Sequence, residues 1–287
     1  MRFGIALSGG GTRGAAHVGV LCALEEAGLL PTAVAGTSAG SLVAGLYALG
    51  YTPSSMKEII LKLSKSGPSL MDADYFGILR SVLQLFGKKR MTFSGFIKGD
   101  KLEKYLEGLA GGKKMTDLRM LTVIAAVDLI SRKTIAYSNN MAKAVQMPNV
   151  IWKSDVQISA AMRASSAVPA VFQPKKLDGM LLVDGGVTDI VPVDLLIAAG
   201  EKNVLGVDVN TSTPMKADGN IFDVCNQSLS ILMSCLSGYR TSGEKLSLVP
   251  LLPDTAGLLT FEQMTACLDA GYESAKKMVP EIRRVFS

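Results

Sequence analysis

Twice within its first fifty residues the chain passes from a short apolar stretch through a glycine-bearing turn into a helical pattern, and no other feature limits its fold as strongly. Residues 2–8 (RFGIALS) read as a buried strand and 9–14 as a glycine-rich loop. Residues from about 15 to 28 read as a helix closed by Gly28 in the C′ position. Residues 32–36 read as a second short strand, and 39–49 as a small-residue helix ending at Gly50. Such a series implies an α/β fold with a mainly parallel central sheet flanked by helices.

The same alternation returns later. Strands are expected at 121–127, 132–137, 180–183, 203–209 and 246–250. Helices are expected at 155–165, with Ser154 as N-cap, and at 192–199, 221–237 and 261–284. Between the two regions, about 52–118, helical stretches near 53–65, 73–87 and 100–110 read as a cap over the sheet. No repeat, low-complexity tract or linker interrupts the chain, so one domain is expected over 1–287.

Composition excludes several classes. Hydrophobic residues make up 48% and charged residues 19% of the 287, enough to bury a large core, so disorder is excluded. The net charge of +5 has no basic run longer than Lys88-Lys89-Arg90, and only one Trp is present, so no nucleic-acid partner is expected. The cysteines at 22, 225, 235 and 267 have no metal or redox spacing and read as reduced thiols, mostly buried, in a reducing compartment. The apolar N-terminal run reaches Gly9-Gly10-Gly11 too soon for a signal peptide. Residues 27–56 carry no charge, but Pro31 and the glycines at 28, 36, 40, 45 and 50 break a membrane span. The expected location is cytoplasmic, with peripheral membrane contact left open. The apolar stretch from Leu70 to Phe86, followed by Lys88-Lys89-Arg90, reads either as a core helix or as a lipid-facing surface.

The loop Gly9-Gly10-Gly11-Thr12-Arg13-Gly14 presents backbone N–H groups at a helix start. Through Gly9, Gly11 and Gly14 it also fits G-x-G-x-x-G, so it can hold a dinucleotide or a transient oxyanion. A dinucleotide site wants a carboxylate at the end of the second strand. Here that strand ends in Gly36-Thr37-Ser38, which weakens the nucleotide reading.

Gly36-Thr37-Ser38-Ala39-Gly40 fits G-x-S-x-G between a strand and a helix, the setting in which a serine is held exposed at a sharp turn. A serine nucleophile needs a base. The only histidine, His17, follows the glycine loop and reads as structural. Carboxylates at strand ends remain, namely Asp128, Asp184 and Asp208, and residue chemistry alone leaves the choice open.

Three motifs in this order resemble the patatin-like phospholipase family, especially its small bacterial members. They are Gly9-Gly10-Gly11-Thr12-Arg13-Gly14, Gly36-Thr37-Ser38-Ala39-Gly40 and Asp184-Gly185-Gly186. The stretch from Ala164 to Phe172 (ASSAVPAVF) is similar to the family segment before the Asp strand. The resemblance covers about residues 3–200; about 210–287 read as a C-terminal extension without a family motif. It implies a three-layer patatin-like architecture and a Ser38–Asp184 dyad. It also implies an oxyanion loop whose donors lie near Gly10, Gly11 and Thr12, with Arg13 orienting the loop or meeting a phosphate. The implied substrate is a lipid or other acyl ester, cleaved through an acyl-serine, with no metal or cofactor. An acyltransferase, or a nucleotide-binding or regulatory adaptor, is the alternative, and the sequence leaves oligomeric state open.

Overall fold

The computed structural model describes residues 2–77, 94–210, 221–239 and 243–287. Its main sheet runs β11-β10-β1-β2-β4-β5-β6. In it, β1 is Gly4–Leu7, β2 Ala33–Thr37, β4 Leu121–Asp128, β5 Lys133–Ser138, β6 Val150–Lys153, β10 Val204–Val207 and β11 Leu246–Leu248. The strands β1, β2, β4, β10 and β11 are mutually parallel. The central strands are buried on both faces, as their nearly unbroken apolar sequences require.

Alternation along the strands assigns the faces. Ile5, Leu7, Val34 and Ile124 point to one side, where α1 (Ala15–Glu26), α8 (Met264–Phe286) and α5 (Ile158–Ser165) cover them. Ala6, Ala33, Ala35, Val123 and Ala125 point to the other side. These short side chains let the six-residue α6 (Val193–Ala198) lie close. The result is helix, sheet and helix in three layers. Nine of the twelve residues of α1 are buried, because α1 is sandwiched between the sheet and α8.

The long strand β4 organises the site. Its residues 121–125 pair with β2 in parallel. On the same side, its residues 126–128 pair with β9 (Met180–Asp184), which runs antiparallel. Asp184, expected at a strand end, does end one, but that strand is antiparallel to β4. Asp184 arrives from the opposite direction, and β9 meets β2 end to end.

Other expectations also shift. The strand expected at 132–137 is present but antiparallel to β4, because the turn through Arg132, at φ 59, is tight enough for a hairpin. The strands β3 (Gly95–Ile97), β6, β7 (Ala170–Phe172) and β8 (Lys175–Leu177) were not anticipated. Ser154 is not a cap, since α5 begins after Gln157. Backbone bonds from Met115 to Val156 and from Ile158 to Lys113 hold residues 156–158 extended past Ser154. The expected helices at 53–65 and 100–110 appear as α3 (Pro53–Ser66) and α4 (Asp100–Ala110), the first capped by Thr52, whose hydroxyl accepts the Ser55 N–H at 3.1 Å. Most of the stretch expected at 73–87, and Lys88-Lys89-Arg90, lie outside the described residues. The cysteines are less buried than expected: Cys267 is buried and Cys22 half-buried, but Cys225 and Cys235 are exposed on α7 (Ile221–Tyr239). Among the described residues no helix is long and apolar enough to cross a membrane.

Candidate active site

Ser38 stands between β2 and α2 (Ala39–Ala48) with φ 53 and ψ −124. For a residue with a Cβ this conformation costs about 1–3 kcal/mol and persists only where its surroundings enforce it. They do so here. A Cβ on Gly36 would strike the Gly40 carbonyl, and one on Gly40 would strike the Leu7 carbonyl, so the turn closes only with glycine at both positions. The Ser38 N–H donates to Ser165 Oγ at 3.0 Å, and the Ser38 carbonyl accepts the Ser41 hydroxyl at 2.6 Å. Thr37 donates its hydroxyl to the Asp189 carbonyl at 2.9 Å. The start of α2 lies at Ser38 and favours negative charge there.

Asp184 ends β9 and is 2% exposed. Its Oδ1 accepts the Gly186 N–H at 2.8 Å. Burial pushes its pKa up from 3.8 to about 7, against the downward pull of the Ser38 hydroxyl and the Gly186 N–H. Oδ2 is buried without a full hydrogen bond, so the contact with Ser38 is looser than a formed bond.

The glycine loop lies against the turn. A Cβ on Gly9 would come within 3.2 Å of Ser38 Cβ. Within the loop, Gly9 N–H donates to Ile190 O at 3.1 Å, Thr12 N–H to Leu258 O at 3.0 Å and Arg13 N–H to Gly10 O at 3.3 Å. Among the described residues, the N–H groups of Gly10 and Gly11 donate to no protein acceptor. Of the N–H groups near Gly10, Gly11 and Thr12, that of Thr12 is therefore already committed within the protein. Arg13 is buried and donates from Nε to Gly10 O at 3.2 Å, which ties down the loop. Burial lowers its pKa, while Cys267 and Asp208 raise it.

The other candidates do different work. His17 is fully buried with Nε2 2.9 Å from Ser8 O. Burial takes its pKa down to about 4, although that backbone contact raises it, so the ring is neutral and Nε2–H is the donor. Asp128 accepts N–H groups from Ile130, Ser131 and Leu181. Burial raises its pKa, but these bonds outweigh burial and bring it to about 2, so it serves as a turn anchor. Asp208 accepts the Asn210 N–H at 2.8 Å and faces a separate cavity with Asp189, Asp194 and Glu244.

Ser38 opens onto a cavity of about 150 Å³ between α1, α2, α3 and α4. Leu42, Leu46, Ile60, Leu63, Leu106 and Phe172 are among its lining residues, and among the described residues no charged side chain is. Such a space suits a hydrocarbon chain, and its predominantly apolar lining counts against the dinucleotide reading. Sequence reasoning did not assign a role to Ser165, whose only signal was its place in the ASSAVPAVF stretch, or to residues 257–260, which carry no motif.

The family model described as patatin-like phospholipase matches residues 5–197. An uncharacterized NTE family protein of Mycobacterium tuberculosis is 28% identical over 211 residues, which is 74% of this chain and 50% of that protein. Human patatin-like phospholipase domain-containing protein 6 is 30% identical over 207 residues, 72% of this chain and 13% of the human protein. The chain thus spans at most half the length of these relatives. VipD of Legionella pneumophila has a similar fold, with a TM-score of 0.56 at 17% identity, over 97% of this chain and 67% of the VipD chain.

Proposed function

This chain belongs to the patatin-like phospholipase family, and on that footing we propose that it is a serine acyl hydrolase that cleaves carboxylic esters of lipids, with Ser38 as nucleophile and Asp184 as base. The observation that carries the reading is a serine that lines an apolar cavity and has behind it a buried carboxyl, Asp184, whose pKa is lifted to about 7 and which interacts with the serine hydroxyl. The name of the human relative, a patatin-like phospholipase domain-containing protein, supports the same class of chemistry.

In the proposed mechanism an acyl chain enters the cavity and its carbonyl carbon meets Ser38 Oγ. Asp184 takes the hydroxyl proton as Oγ attacks. A carboxylate with a pKa near 7 is a far better base than an ordinary one, yet is still substantially ionised at neutral pH. Negative charge on the former carbonyl oxygen is met by the N–H groups of Gly10 and Gly11 and by the start of α2. One such donor is typically worth about 3 kcal/mol of transition-state stabilisation. The leaving alcohol takes the proton from Asp184, which leaves an acyl-Ser38. Water then gives a proton to Asp184 as it attacks the acyl carbon, and Asp184 returns that proton to Ser38 Oγ as the bond to the acyl group breaks, which frees the fatty acid and restores the Ser38 hydroxyl.

Contact with a lipid surface belongs to the same proposal. Leu70 and Met71 line the cavity, and Tyr75 and Phe76, close behind them in sequence, are 79% and 78% exposed. The test is hydrolysis of a panel of phospholipids, lysophospholipids and glycerides, with Ser38→Ala as the blank. Hydrolysis that persists in Ser38→Ala removes the reading.

A further inference from the structure

The segment after β11 lies beyond the matched family region, yet it grips the glycine loop. Thr12 N–H donates to Leu258 O at 3.0 Å, and the Thr12 hydroxyl donates to Gly257 O at 2.8 Å. With that proton committed, the Thr260 hydroxyl is the donor to Thr12 Oγ1 across 3.2 Å. Thr260 Oγ1 in turn accepts the Gly257 N–H at 2.7 Å. The two hydroxyls and the 257–258 backbone thus form a clasp in which each threonine hydroxyl both donates and accepts. Gly11, at φ +60, sits directly beneath it, where a Cβ would strike the Leu258 carbonyl oxygen. The same few residues also wall the cavity at Ser38 through Leu258, Leu259 and Phe261.

We propose that residues 257–261 form a strap that sets the glycine loop for catalysis, with Thr260 as its positioning residue. The inference rests on the reading of Ser38 as nucleophile. The Thr12 N–H acts as a tether, and the tether holds the adjacent Gly10 and Gly11 donors in one place. Because Leu258 meets the loop through its carbonyl and also lines the cavity, a long acyl chain stabilises the strap and, through it, the loop. A short acyl group fills too little of the cavity to do so. Loss of the clasp therefore costs more on short substrates than on long ones.

The test is the rate at which an ethyl and a dodecyl fluorophosphonate label Ser38 in the full chain, compared for wild type, Thr260→Val and Thr260→Ser, with melting temperatures alongside. Val keeps the shape and removes the hydroxyl. The expected result for Thr260→Val is a loss of about tenfold or more with the ethyl probe, ~1.4 kcal/mol of barrier, a smaller loss with the dodecyl probe, and recovery in Thr260→Ser to within about threefold of wild type. Wild-type rates in Thr260→Val with both probes, an equal loss with both, or a Ser variant no better than Val would overturn the strap while leaving the nucleophile intact. A wild-type protein unlabelled at Ser38 overturns both. Should Thr260→Val fail to fold, hydrogen exchange at the Thr12 amide of the wild type decides. Slow exchange supports the tether, and exchange at the rate of an open loop refutes it.

Discussion

Thr37 and Asp184 occupy adjacent rungs of β4, Thr37 opposite Ala125 and Asp184 opposite Ala126. Successive residues along a strand are about 3.3 Å apart, so two strands that run in opposite directions end within one residue spacing of each other. Ser38 follows Thr37, so the register of one strand fixes how near the serine and the carboxyl lie.

Asp184→Asn should separate activity from stability. It keeps the shape and the acceptor for Gly186 N–H but cannot take a proton, so ester hydrolysis should fall by orders of magnitude. Stability should rise. The Asp184 pKa is raised on folding, so the stability it contributes is complete below 3.8 and is lost as pH climbs to about 7. That rise corresponds to ~4 kcal/mol, which the Asn variant should recover in part as a higher Tm at pH 8. An unchanged or lower Tm at pH 8 would count against a buried, proton-retaining carboxyl.

The pH–rate profile should follow the same group. With Asp184 as base, kcat/KM should rise through about pH 7 and then level off. A rise centred near the usual carboxylate value of 3.8 would show that the burial seen here does not govern catalysis.

Ser165→Ala should slow the acylation of Ser38 without emptying the cavity. It removes the acceptor of the Ser38 N–H and leaves a buried donor unpaired, a penalty of about 1–3 kcal/mol. Part should appear in Tm and part as slower fluorophosphonate labelling. A wild-type labelling rate would show that the Ser38 conformation does not depend on Ser165.

His17→Gln should keep most of the activity, because its amide can still donate to Ser8 O, whereas His17→Phe leaves that carbonyl unpaired and should lower Tm. The His17 pKa falls from 6.5 to about 4 on folding, so wild-type stability should decline as pH drops through that interval. His17→Gln should flatten the decline when Tm is followed against pH. An inactive but fully folded His17→Gln would reinstate histidine as a candidate base.

The early part of the fold was legible because its signals are local. The apolar runs of β1 and β2, the glycines of both turns and the lone histidine can each be read within a few residues. The direction of β9 was not, because antiparallel pairing with the far half of β4 depends on which strand occupies its near half. The same applies to Asp128. Its strand-end position looks like that of Asp184, and only the three N–H groups that converge on it mark it as a turn anchor. The strap was invisible for a related reason, since Thr12 and Thr260 meet across 248 positions of sequence and neither lies in a motif that asks for the other.

The most direct test of the central claim is to locate the fluorophosphonate adduct by peptide mass spectrometry and to time its formation in wild type, Asp184→Asn and His17→Gln. The adduct should lie on Ser38, with formation slowed by about a hundredfold or more in Asp184→Asn and a near-wild-type rate in His17→Gln. An adduct on another residue, or equal rates on Ser38 in wild type and Asp184→Asn, would contradict it.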